Sequence, residues 1–160
     1  MLRQMLPVIT FAILLPAFRV DSLAADPDDA CVLLTQQQVS AILGVSVQPG
    51  KPVSVRMCQW EQSDVSGPKS KRVLLTVFGK MGTLTPVDRF NTSKAPVSGI
   101  AKEPVSGVGD DALFIPTVGL ALNVRSGSSA FQIRVSGPGL SHDQLKQMEI
   151  ALAKQVIPKL

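Results

Sequence analysis

The chain contains no tyrosine, one tryptophan, one histidine and two cysteines in 160 residues. Each scarcity excludes something. Two thiols and one distant histidine fall short of the ligand set a tetrahedral metal site needs, so no metal and no cofactor are expected. Aromatic platforms for stacking bases or sugars need several rings, and Trp60 stands alone among four phenylalanines beyond residue 24. Basic residues are scattered, apart from Lys69, Lys71 and Arg72 in one polar segment. A nucleic-acid surface shows a stripe of them, so no nucleic-acid partner is expected. Strand–glycine-loop–helix phosphate cradles are missing, and so is the strained nucleophile turn of the serine hydrolases. No catalytic residue is therefore assigned.

What is present starts at the N-terminus. Arg3 precedes an apolar run from Met5 to Phe18, which Arg19 and Asp21 end. Ser22-Leu23-Ala24 then puts small residues at the −3 and −1 positions of a cut before Ala25. This is the tripartite order of a secretory signal, and the run is shorter than the about 20 residues a membrane span needs. The expected organisation is a signal peptide over 1–24, a flexible leader over 25–30 and a single domain over 31–160. No permanent membrane anchor is expected after cleavage, and the expected location is periplasmic or secreted. Without Arg3, Arg19 and Asp21 the formal charge is about +3, down from +4 for the whole chain, a mild bias that favours solubility.

Cys31 and Cys58 both follow the signal. In an oxidising compartment a pair with no third thiol reads as a disulfide. A lipidated Cys31 would need small apolar residues before it, and Asp28-Asp29-Ala30 does not supply them.

Periodicity gives the elements. Thr35 with Gln38 has capping-box spacing before a helix over Gln36–Leu43, which Gly44 is placed to end. Residues 53–62 alternate as one strand, and 72–79 as a second. Thr85-Pro86 starts a short helix. Residues 94–109 form a long passage rich in proline and glycine. Strands are expected over 112–115, 120–125 and 130–136. Ser141, with Gln144 three residues on, caps a last helix whose core face is Leu145, Met148, Leu152 and Val156. Its polar face takes Lys146, Glu149, Lys154 and Lys159. The expected fold is α+β, an antiparallel sheet of about five strands with helices packed on one face, in the order α-β-β-α-β-β-β-α.

Several spaced motifs then line up: Cys31-Val-Leu-Leu-Thr35, Leu43-Gly44, Cys58-Gln-Trp60 and Gly107-Val-Gly-Asp-Asp-Ala112, followed by the terminal helix. Their order resembles a set of small secreted bacterial domains of unknown function with a C-x-L-L-T…L-G…C-x-W…G-x-G-D-E-A pattern. The resemblance implies an α+β sheet with the two cysteines bridged. It implies no catalytic residue, and the lipid-attachment site many such proteins carry is missing here.

Four residues beyond the cysteines draw a chemical reading. Asp110 and Asp111 carry adjacent carboxylates that a hard cation such as calcium would accept. Neighbours on a strand point to opposite faces, however, so a turn in which Asp110 holds backbone amides is the expected role. Trp60 is a possible ligand or partner contact, though packing beside the disulfide is its first role. His142 sits at an exposed helix start with no partner in sequence. The expected function is an exported, non-catalytic binding module of the bacterial envelope that recognises a protein or a small apolar ligand. Two alternatives stay open: a structural or accessory subunit of an envelope complex, and a small hydrolase using Asp110 or His142.

Overall fold

The computed structural model describes residues 29–116 and 120–160. The expected signal peptide and residues 25–28 of the leader lie outside them. The leader's end does not behave as a leader: Asp29 accepts from the backbone N–H of Cys31, capping a short 3-10 helix, Ala30–Val32, and Ala30 is buried.

Three helices and seven strands follow. They are α1 (Gln36–Leu43), β1 (Lys51–Ser54), β2 (Met57–Glu61), β3 (Arg72–Val77), α2 (Pro86–Lys94), β4 (Glu103–Pro104), β5 (Asp111–Ile115), β6 (Ala121–Ser126), β7 (Ser129–Ser136) and α3 (His142–Val156). All strand pairs are antiparallel, in the order β1-β2-β3-β7-β6-β5-β4. The α+β class is thus as expected, but the sheet has seven strands rather than about five. The two extra strands have different origins. The single strand expected over 53–62 is a hairpin that turns at Val55-Arg56. Within the long passage, Glu103-Pro104 pairs with Leu113-Phe114.

All three helices start with a complete capping box, Thr35 with Gln38, Thr85 with Asp88 and Ser141 with Gln144. Each satisfies amide donors that a helix start leaves without an intrahelical partner. α1 ends at Gly44, as its position suggested.

Strand register assigns the two faces of the sheet. Cys58, Leu75, Ile133, Leu122 and Phe114 lie in one row across five strands, and Trp60, Val73 and Val135 in the next row of the same face. These residues form the main core with Val39 and Leu43 of α1 and Leu145, Leu152, Ala153 and Val156 of α3. The opposite face is not wholly wet. Leu113, Ala121, Asn123 and Ala130 alternate with the core residues and are also buried. Phe90 of α2 is buried but lies outside the main core cluster, and α2 packs on β6 and β7. The helices therefore do not share one face: α1 and α3 cover one side, and α2 covers part of the other. That is why β6 is buried on both sides, although its residues alternate in polarity.

Both edges of the sheet are short and carry a proline, Pro52 in β1 and Pro104 in β4. Proline has no N–H for a further strand.

One position of α3 departs from the sequence reading. Glu149, expected on the polar face, is 0% exposed, while Met148, expected in the core, is half-buried at its margin. The buried stripe runs Leu145, Glu149, Leu152, Val156, a regular 4-3-4 spacing in which one member is a carboxylic acid.

Candidate functional site

The residues singled out in the sequence are dispersed by the fold. Cys31 and Cys58 are bonded, with Cα atoms 5.0 Å apart. The bridge ties the first helical turn of the domain to β2. Trp60 lies beside it at 1% exposure. A Cβ on Gly50 would sit 2.8 Å from both the Cys58 sulfur and the indole ring, so the chain passes directly over them. Trp60 is thus a core residue, and its ring offers no open face to a ligand.

Asp110 and Asp111 point different ways. Asp110 Oδ2 accepts from Gly127 N at 2.8 Å and from Arg125 Nη1 at 3.2 Å. It fastens the β6–β7 turn, so the amide it holds is across the sheet rather than local. Asp111 Oδ2 accepts from Lys94 Nζ of α2 at 2.6 Å, on the opposite face. Each carboxylate has its own cation, and the described residues contain no group of three or more metal-binding side chains. His142 is exposed at the first position of α3, and its side chain makes no hydrogen bond or ion pair with the described residues.

The concave site is elsewhere, at the end of the sheet where three connections meet. Val77 N donates to Arg56 O at 2.9 Å, which brings the β1–β2 turn to the end of β3. Phe78 N donates to Ala130 O at 2.8 Å, which brings in the β6–β7 turn. The chain then rounds Met81–Leu84 and enters α2 at Thr85-Pro86. A cleft of about 420 Å³ opens among these segments. Val77, Phe78, Pro86 and Leu160 give it apolar walls, and Arg56, Lys80, Thr85, Ser128 and Ser129 add polar atoms. No carboxylate side chain lines it.

The walls are held by specific contacts. The Arg89 guanidinium lies 4.8 Å from the Phe78 ring centroid, and its Nη1 donates to Gly79 O at 3.1 Å. These two contacts fix α2 against the end of β3. Arg56 packs over Gly79, where a Cβ would collide with the guanidinium. Met81 and Leu84, between lining residues Lys80 and Thr85, are 59% and 39% exposed, and Val55 in the β1–β2 turn is 75% exposed. Apolar surface therefore extends beyond the cleft on its rim.

Sequence reasoning missed this site because its residues come from three separate connections and from Leu160. The signal available in the sequence was the apolar content of a loop, with Met81 and Leu84 between Gly79 and Pro86.

Neither a protein-family model, nor a curated protein, nor a solved structure matches this chain. A disulfide is present, and no helix among the described residues is long and apolar enough to cross a membrane.

Proposed function

We propose that this chain is an exported, non-catalytic binding module of the bacterial envelope, periplasmic or secreted, whose ligand site is the cleft at the sheet end. The observation that carries the reading is the cleft itself: a concavity with apolar walls and hydroxyl and cationic groups at its margin, the usual make-up of a small-molecule site. Its occupant in this reading is a small, largely apolar molecule. The signal-like N-terminus and the disulfide support export.

An accessory subunit of an envelope complex is the second reading. The exposed Val53, Val55 and Met81 near the same end of the sheet favour it, since they would suit a protein face. The proline-bearing edges argue against a partner that joins by adding a strand. A small hydrolase has less support. Asp110 is engaged with Arg125 and Gly127, and His142 has no nucleophile hydrogen-bonded to it.

The test uses the domain without its signal segment and a fluorescent naphthylamine probe whose emission rises in apolar surroundings. Saturable binding is expected, and Ser128→Trp should abolish it. Ser128 is exposed in a turn beside the cleft, so a large ring there fills the opening without touching the core. The circular dichroism spectrum should stay unchanged. Absence of saturable binding to the parent domain, or equal binding to the folded variant, would remove the cleft as the ligand site.

A further inference from the structure

A carboxylic acid in a core stripe needs a reason. Glu149 is wholly buried, and its Oε1 accepts from Val135 N at 2.8 Å. The location of that amide explains the contact. Phe78 N donates to Ala130 O, so at Ala130 the β7 backbone faces β3. Backbone groups alternate along a strand, so at Val135 they face the β6 side. But β6 begins at Ala121, and its last pair with β7 is Leu122 with Ile133. Leu120, which would stand opposite Val135, has φ of 40° and turns out of the strand. Val135 therefore has a ladder donor without a strand partner, and Glu149 takes the partner's place. The Leu122 amide on β6 also favours the ionised carboxyl.

One side chain of α3 thus caps the open end of the β6–β7 ladder through the β7 amide. Its other oxygen, Oε2, is buried with no hydrogen-bond partner among the described residues. An ionised carboxylate there would leave a charge in the core with half its acceptors unmet. A protonated one carries its hydrogen on Oε2 and keeps Oε1 as acceptor.

We propose that Glu149 is a proton-operated latch between α3 and the β6–β7 fork: the closed fork keeps its carboxyl protonated, and opening lets the proton go from Oε2 to water. The charged surroundings permit this. Burial pushes the carboxyl up to about 8, outweighing the Val135 and Leu122 amides and Arg134 on β7, which favour the ionised form. α1 contributes no titratable group. On β6, Arg125 is engaged by Asp110. On α3, Lys146 pairs with Glu103 of β4, and His142, Asp143 and Lys154 are exposed. Lys159, beyond α3, donates to Leu33 O.

The sign follows from linkage. The closed state binds a proton that the open, hydrated carboxyl gives up near its ordinary 4.5. The latch is strongest below that value and weakens as the pH rises towards 8. Above about 8 both states are ionised and the dependence ends.

Hydrogen exchange at the Val135 and Leu122 amides, corrected for intrinsic rates, tests this. Protection should fall by up to about tenfold per pH unit between pH 5 and 8 and level off above. In Glu149→Gln, which keeps the acceptor and cannot ionise, the same amides should show no pH dependence over that range. Carbon-13 titration of the Glu149 carboxyl in the unaltered protein gives an independent reading and serves if the variant does not fold. A midpoint well above 4.5 is expected. A midpoint in the ordinary carboxylate range, pH-independent protection, or an equal fall in Glu149→Gln would each overturn the latch.

Discussion

Single residues divide into those whose chemistry announces their role and those whose role depends on a neighbour far along the chain. The cysteines belong to the first kind, since an even count in a chain read as exported has few other uses. Glu149 belongs to the second. An acid four residues after Leu145 looks like a solvated helix face until a strand pair that ends early presents it with an amide. Gly109 is of the second kind too. Its φ is +60°, and a Cβ there would collide with the Arg125 carbonyl, which its neighbour Asp110 binds through its own amide. Gly107, at φ +75°, faces open space. Gly109→Ala should lose the about 1–3 kcal/mol of a strained backbone and more from the collision. Gly107→Ala should lose only the strain. Urea unfolding of the two variants side by side measures the difference, and equal midpoints would contradict the close approach.

Elements were legible where both their ends were marked. The starts of all three helices were marked in the sequence, by capping-box spacing at Thr35 and Ser141 and by Thr85-Pro86, and all three form there. Strands 72–77 and 129–136 were bounded by polar turns and came out nearly as read. The β1–β2 hairpin was not legible, because its turn at Val55-Arg56 uses none of the usual turn residues and the alternation runs through it. β4 escaped because it is two residues long and half proline. The faces of the sheet were misassigned for a different reason: alternation in β6 reports polarity, and Ala121 and Asn123 are small or polar residues that α2 covers anyway. The Cys31–Cys58 link joins the first turn of the domain to an interior strand 27 residues along the chain. Replacing both cysteines by serine should lower stability by about 2–5 kcal/mol. Thiol titration of the denatured, unreduced parent should find no reactive sulfur, and two reactive thiols would mean the bond is not made in the isolated protein.

For the molecule as a whole, the main core packs α3 on β6 and β7 and α1 on α3, over the row from Cys58 to Phe114. Leu152→Ala, in the middle of that contact, should cost about 2–5 kcal/mol. That is a large part of the about 5–15 kcal/mol typical of a domain. Probe binding should be lost with the fold. His142→Ala should alter neither, because the imidazole is exposed and unengaged. A folded His142→Ala protein that had lost an activity would move the hydrolase reading to the front. The two edge prolines bear on what many copies do together. Fibrils lengthen by capturing one strand after another, each new arrival hydrogen-bonding along the exposed border of the last. Here both borders are short, and each is interrupted at a residue that cannot donate. A growing stack would therefore lack a continuous row of donors on either flank.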